Sequence, residues 1–416
     1  MMGMAKQDVI ASLDMGSSRV SCLIGSVESS GSIRILGGAS SACRGIKGGV
    51  VINILEAAQT VTRVIEEAEA AAKAVVRSLY LGVRGAHLKS FNNRGAFNIA
   101  RTDREITQED VQSVLSNAKA VPLPGDREIL HVVPQGFSLD RQRGVPNPVG
   151  MEGSLLEVEV HIVTASSAHI NNLVKTVNQA GFEVADAVYG LLACGDMLVT
   201  PEEKDLGCLL IDLGGQSLSL GVYSEGYLRY SKELPIGADF ITRDLAIGLH
   251  TSLVTAENLK KEHGVAHPSL LNGDNEIAFN GVDGRTPGRI KTSNVMGIIL
   301  PRVEEIFSLV SDDLQGSSYA DVVAPGGAVL TGGGALMKGI SEAARQVLDM
   351  PVRPGMPHPD FFIAGDEWIS PTYATALGLL RAAQGPSWNS LSRGRQVARK
   401  RPMWIRRAAS VLEDLF

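Results

Sequence analysis

At 416 residues, 44% apolar and 20% charged, the chain has room for roughly two to four compact units, each with a core of its own. A net charge of −6 excludes the body of the protein as a nucleic-acid binder. The four cysteines (Cys22, Cys43, Cys194 and Cys208) and the eight histidines are scattered, which excludes a disulfide framework and gives no metal site built from protein side chains alone.

The first eight residues lack the apolar run of a signal peptide. No stretch approaches about eighteen uninterrupted apolar residues, so any membrane contact is expected at a surface. A strand is predicted at 9–13, running into Asp14-Met15-Gly16-Ser17-Ser18-Arg19. Apolar runs at 20–27 and 33–36 follow, separated by a Ser/Gly turn at 29–32. Ala57, Val61, Val64, Ile65, Ala68, Ala72, Val75, Val76 and Leu79 then recur at helical spacing.

The segment 83–164 has a different character. Thr107-Gln108-Glu109-Asp110 reads as a capping box opening a helix to Ala120. The stretch 143–153, rich in Pro and Gly, reads as a loop. Leu156, Val158, Val160 and Ile162 alternate with Glu157, Glu159 and His161, the pattern of a strand buried on one face. A further helix begins near Ser167, with Ile170, Leu173, Val174, Val177 and Ala180 inward, and stops at Gly181.

At 208 the opening grammar returns. A strand at 208–213 leads into Asp212-Leu213-Gly214-Gly215-Gln216-Ser217, followed by strands at 218–223 and 227–233 around Ser224-Glu225-Gly226. Two such units at corresponding places predict a duplicated domain with a cleft between the copies. An Asp-x-Gly turn suits a phosphate, because glycine lets backbone N–H groups approach and Ser17 and Ser18 add hydroxyl donors. The carboxylates of Asp14 and Asp212 are placed to hold Mg²⁺ through water. Val329-Leu330-Thr331-Gly332-Gly333-Gly334-Ala335-Leu336 predicts bare backbone for a flat ring or ribose, with a helix from about Lys338. Glu257 and Lys260, one turn apart, either reach that ligand or form an ordinary solvated ion pair.

From Gln384 the composition changes. Residues 384–416 carry a net charge of +5, leaving −11 on the body, and Arg393, Arg395, Arg399, Lys400 and Arg401 form a basic linker. Wound as a helix after Pro402, Trp404, Ile405, Ala408, Ala409, Val411, Leu412, Leu415 and Phe416 share an arc of roughly 160°. Arg406 and Arg407 fall on the other side, as in an interfacial membrane helix. A terminal helix docked on its own domain or in a partner's groove is the competing reading.

The two Asp-x-Gly hairpins, the triple-glycine loop and the closing helix at 373–383 resemble the actin and sugar-kinase superfamily. Within it, Leu13-Asp14-Met15-Gly16-Ser17-Ser18, Leu234-Pro235-Ile236-Gly237-Ala238-Asp239, Asp244-Leu245-Ala246-Ile247-Gly248-Leu249 and Leu330-Thr331-Gly332-Gly333-Gly334 resemble the FtsA family of bacterial cell-division proteins. Ala256-Glu257-Asn258-Leu259-Lys260-Lys261-Glu262-His263-Gly264 continues the match.

The resemblance implies an α/β, actin-like (ribonuclease H-like) fold of duplicated domains with an inserted α+β subdomain and a C-terminal amphipathic helix. The implied divisions are 5–82 with 165–204 and 370–383, the insertion 83–164, then 205–239 with 316–369, an outer subdomain 240–315, the linker 384–401 and the helix 402–416. It implies ATP with Mg²⁺ as cofactors, phosphates at Asp14, Gly16, Ser17, Ser18, Arg19, Asp212, Gly214, Gly215, Gln216 and Ser217, and adenosine at Gly237, Glu257, Lys260, Gly332, Gly333, Gly334 and Leu336.

The implied partners are the chain itself in a filament, an anionic membrane surface on the cytoplasmic side, downstream division proteins, and the C-terminal peptide of the tubulin-like protein FtsZ. Lys291, Arg302 and Glu305 are the candidate contacts for that peptide. Two departures stand out. Gln216 occupies a place where a bare backbone is usual, and 188–193 holds no acid to activate water, with Asp186 only nearby. ATP binding with slow turnover is therefore expected. A pilus-assembly scaffold of the same type leaves the amphipathic tail unused. A small-molecule kinase needs a catalytic acid over a sugar-sized pocket.

Overall fold

The computed structural model describes residues 9–385, which form two compact units, one of residues 9–92, 122–132 and 161–385, the other of 93–121 and 133–160. In the first unit the strands Val9–Met15, Arg19–Val27 and Ile33–Ala42 form an antiparallel meander. Val9–Met15 also pairs in parallel with Ser78–Val83, which pairs in parallel with Glu183–Tyr189. Phe362–Ile363 closes the other edge of this six-stranded sheet.

The second sheet repeats that plan. Cys208–Leu213, Leu218–Ser224 and Tyr227–Leu234 form the meander, and Ala328–Thr331 and then Val352–Pro354 add in parallel. Asp14 lies opposite Ser21 on its antiparallel side and Gly82 on its parallel side; Asp212 lies opposite Ser219 and Thr331. The two acids thus hold the same position in the two copies, at the carboxyl end of the first strand, where open α/β sheets bind ligands.

Helices cover these sheets through ordinary apolar stripes. Ile54–Ala72 starts where Asn53 accepts the backbone N–H groups of Leu55 and Glu56, and it buries Ala57, Val61, Val64, Ile65 and Ala68. It ends at Lys73, which is left-handed (φ 50°), so the helical spacing read as far as Leu79 overshoots. Val75 is exposed and Leu79 already belongs to the strand Ser78–Val83. The long helix Thr292–Gln315 packs Val295, Ile299, Val303, Ile306, Phe307, Val310 and Leu314 into the core of the second half. The glycine loop does not lead straight into a helix at Lys338: a 3₁₀ turn, Gly333–Leu336, comes first, and the helix is Ile340–Leu348. The four cysteines are free thiols, and no helix among the described residues is long and apolar enough to cross a membrane.

The second unit holds much of a four-stranded sheet, ordered Lys89–Asn98, Leu155–Ser166, Arg127–Leu139 and Gln142–Val145, and the helix Gln108–Lys119. Thr107 and Asp110 form the predicted capping box, and Val111, Val114, Leu115 and Ala118 are buried. A Cβ on Gly95 would lie 2.5 Å from the Val114 carbonyl, so only glycine lets the helix cross the strand this closely. The segment 143–153 is not wholly a loop, since Gln142–Val145 pairs with Arg127–Leu139 as a short hairpin partner.

His161 also departs from the alternating pattern. It lies in the first unit, buried, with Nδ1 2.6 Å from Asn92 Oδ1 and Nε2 2.8 Å from Ser231 Oγ. Burial pulls its pKa down to about 4, so it stays neutral. A period-two pattern cannot signal that a strand end is covered on both faces.

Candidate nucleotide site

A cavity of about 1210 Å³ opens between the two halves of the first unit. Asp14, Gly16, Ser17, Ser18 and Arg19 line it from the first half; Gly214, Gly215, Gln216 and Ser217 line it from the second. Glu257, Lys260, Gly333, Gly334 and Leu336 complete the set. Gly237, Gly332 and Asp212 stand behind this lining. A Cβ on Gly237 would lie 2.5 Å from the Gly215 carbonyl, and one on Gly332 (φ 86°) would lie 2.4 Å from Asp212 Oδ1. Both glycines are therefore spacers that let the ligand-facing loops sit where they do.

The polar side chains of the two Asp-x-Gly loops are bonded to Asp239 and to the turn at 48–49. Ser18 Oγ donates to Asp239 Oδ2 at 2.7 Å, and Gln216 Nε2 donates to the same oxygen at 3.2 Å. Gln216 Oε1 accepts from the Gly48 N–H at 3.2 Å, and Ser17 Oγ accepts from the Gly49 N–H at 3.0 Å. Ser18 thus spends its hydroxyl donor on Asp239, whereas Ser17 only accepts and keeps its O–H for a ligand in the cavity it lines. Gln216 differs from bare backbone in a definite way. Its amide carries both a donor and an acceptor, so it latches one half to the other. Arg19 is exposed and donates to Ser40 Oγ at the rim.

Behind the loops lies a charged hub. Arg84, just past the strand Ser78–Val83, places Nη2 3.5 Å from Asp14 Oδ2, 3.3 Å from Asp212 Oδ2 and 2.5 Å from Thr375 Oγ1. Burial pushes the Asp14 carboxyl up, Arg84 pulls it back down and Asp212 adds to the rise. For Arg84, burial opposes the charge, but Asp14 and Asp212 outweigh it and hold the guanidinium ionised. Below it, Glu233 Oε2 accepts from the Gly85 N–H at 3.0 Å, and burial raises that carboxyl to about 7.

This hub bears on Mg²⁺. An ion between Asp14 and Asp212 would have to share them with a buried guanidinium that already bridges both and offsets one of their two charges, and Asp212 does not line the cavity. Direct ligation of a dication between the two carboxylates does not fit this arrangement; the sequence expectation is the different one of Mg²⁺ held through water. Among the described residues no group of three or more His, Cys, Asp or Glu side chains is arranged to hold a metal.

On the opposite wall Lys260 is buried rather than solvated. Its Nζ donates to Ala238 O at 3.1 Å and Thr242 Oγ1 at 2.8 Å and pairs with Glu257 at 2.6 Å. The Glu257 carboxylate also accepts from Thr242 at 2.5 Å and pairs with Lys261. Their pairing is thus part of the cavity wall, and the reading of an ordinary surface pair is set aside. Asp186 is exposed, accepts from its neighbour Ala187 N–H and does not line the cavity.

The peptide candidates lie elsewhere in the first unit. Arg302 is largely committed within the fold, with Nε 2.6 Å and Nη2 3.1 Å from the Asp244 carboxylate and a further bond to Glu305. Lys291 pairs with Asp274 at 3.4 Å. Trp404, Ile405, Arg406, Arg407, Val411, Leu412, Leu415 and Phe416 lie outside the described residues.

Known proteins place this arrangement. Residues 85–164 match the model of the SHS2 domain inserted in FTSA, and 209–378 match that of cell division protein FtsA. The cell division protein FtsA of Pseudomonas aeruginosa is 36% identical over 374 residues, covering 89% of this chain and 88% of the relative. The chain belongs to the FtsA family of cell-division proteins. The FtsA of Neisseria meningitidis is 36% identical, covering 91% of both chains, and that of Escherichia coli K12 is 31% identical, covering 98% of both.

Solved structures agree on the fold. The PilM–PilN type IV pilus biogenesis complex matches with a TM-score of 0.65 at 17% identity, covering 89% of this chain and 97% of that one. MreB5 of Spiroplasma citri bound to ADP matches at 0.56 and 13%, covering 94% and 100%. The chain is an actin-like cell-division protein with the family's inserted domain.

Arg84, Asp239 and Thr242 were not among the sequence candidates. Arg84 carried one usable signal: a lone charge at the carboxyl end of an apolar parallel strand, the edge where such sheets bind ligands.

Proposed function

We propose that the cleft binds ATP, and that the bound nucleotide sets the shape in which the protein assembles into filaments on the cytoplasmic face of the membrane. The observation that carries this reading is the convergence of both Asp-x-Gly loops and the triple-glycine loop on one cavity. The phosphates go to the turns at Gly16, Gly214 and Gly215, where the missing side chains let them approach the backbone at the ends of the first strands. The adenosine goes between Gly333, Gly334, Leu336 and the Glu257–Lys260 wall. Any Mg²⁺ stays with the phosphate oxygens and their waters, since Asp14 and Asp212 are already bridged by Arg84. Turnover is slow because the 188–193 stretch holds no acid to activate water.

The basic tail then holds the acidic body to anionic lipid. About 1 kcal/mol per basic residue near the surface and about 1.5–3 kcal/mol per fully buried large apolar side chain make this attachment reversible. Glu305, Arg302 and Lys291 mark the face offered to the C-terminal peptide of FtsZ, which the filament tethers to the membrane.

Electron microscopy of the full chain on anionic liposomes, with and without ATP, tests the proposal. Filaments on the vesicles that depend on ATP support it. Equal decoration without nucleotide, or pelleting of a chain lacking residues 402–416, contradicts it.

A further inference from the structure

Asp14 and Asp212 come from opposite halves of the first unit and meet in a buried place, where two carboxylates repel unless a cation stands between them. That cation is Arg84, whose Nη2 bridges both and also donates to Thr375. A guanidinium is permanently charged and its planar fork offers donors on two sides. The second side is unspent. Nη1 lies 3.6 Å from where a Cβ on Gly214 would stand, beside the second phosphate loop, and Arg84 lines the cavity. Nε is buried without a hydrogen-bond partner, as is Oδ1 of Asp14. Nη1 is therefore the donor on the side that faces the second phosphate loop.

We propose that Arg84 is the built-in cation of this site: it takes the place of a divalent ion between Asp14 and Asp212 and receives the nucleotide's phosphates through Nη1, so that binding requires no divalent metal. This rests on the ATP reading above and names the donor that meets the phosphates. Mg²⁺ keeps its own waters and an octahedral shell, so a site served by arginine trades that geometry for a fixed fork between the two halves.

The test has one arm with nucleotide and one without. With a fluorescent ATP analogue and the full chain, affinity in excess Mg²⁺ and in EDTA should agree within about threefold. Arg84→Ser should lose at least about tenfold in EDTA and recover with Mg²⁺. Without nucleotide, Mn²⁺ or Mg²⁺ should leave the wild-type melting temperature unchanged and raise that of Arg84→Ser, whose two carboxylates then lack a counter-charge.

A wild-type affinity that collapses in EDTA overturns the proposal, as does stabilisation of the ligand-free wild type by Mn²⁺. Failure of the analogue to bind under either condition overturns the ATP reading instead, and the nucleotide-free arm then decides on Arg84 by itself. If Arg84→Ser does not fold, Arg84→Lys keeps the charge without the fork and should bind more weakly yet still without metal. The wild-type comparison in Mg²⁺ and EDTA needs no variant.

Discussion

Gly237→Ala should disable the second phosphate loop without touching a ligand-lining residue. The backbone at Gly237 is extended (φ −172°), a conformation alanine adopts freely, so the effect is purely one of space. The new Cβ would stand 2.5 Å from the Gly215 carbonyl oxygen and 2.6 Å from that of Gly214, and backbone cannot swing aside as a side chain can. The same gap is spanned by Ala238 N–H to Gly214 O at 2.9 Å and Asp239 N–H to Gly215 O at 2.8 Å.

Overpacking costs about 1–3 kcal/mol, and each stretched hydrogen bond about 0.5–1.5 kcal/mol. With two such bonds a loss of about 2–6 kcal/mol follows, which at about 2–4 °C per kcal/mol lowers the melting temperature by roughly 4–24 °C. ATP affinity should fall with it, because Gly214 and Gly215 are pushed off their positions.

Gly333→Ala is the control. A Cβ there meets nothing within 4 Å, so stability should hold while ATP binding weakens from the ligand side. Differential scanning fluorimetry and titration calorimetry on both variants decide. A Gly237→Ala protein that melts and binds ATP like the wild type would show that the loop tolerates the added methyl group.

Three further outcomes are expected. Asp239→Ala frees Ser18 and Gln216 from their shared acceptor, so the cleft should open more readily and release a fluorescent nucleotide about 5–10-fold faster in stopped-flow; an unchanged rate would rule out the latch. Glu233 has its folded pKa raised to about 7, so its stabilising share is complete below the ordinary carboxylate value and is lost as pH rises through about 7. Glu233→Gln should accordingly flatten the fall in melting temperature between about pH 5 and about pH 8, and an identical slope in both proteins would reject this. Glu305→Lys probes peptide binding more cleanly than Arg302→Glu, which also breaks the Asp244 pair. It should weaken capture of the FtsZ peptide with the fold intact, and an unaltered dissociation constant would remove that face from the account.

What the sequence showed of the fold came from short-range grammar. The two Asp-x-Gly hairpins could be read because each is a strand, a turn and a strand with no long connection, and they do occupy matching places in the two sheets. The capping box at Thr107 and the stop at Gly181 (φ 94°) are equally local. Errors arose where a local pattern continued past its physical end. Val75 and Leu79 kept the helical spacing after Lys73 had turned the chain, and His161 kept the alternation although Asn92 and Ser231 enclose it.

The long-range parts of the site were the least legible. Arg84 meets Asp14 from 70 residues away, and Ser18 meets Asp239 across 221. Nothing in the neighbourhood of either residue reports such a partner. Gln216 was recognised as unusual, but its latch to Gly48 and Asp239 exists only once the halves are folded together.

Hydrogen–deuterium exchange on the full chain, with and without ATP, tests whether the three loops share one nucleotide. Binding in the cleft predicts that ATP slows exchange together at 14–19, 214–217 and 332–336, three segments far apart in sequence. Protection confined to one of them, or none at all, would contradict a shared nucleotide site.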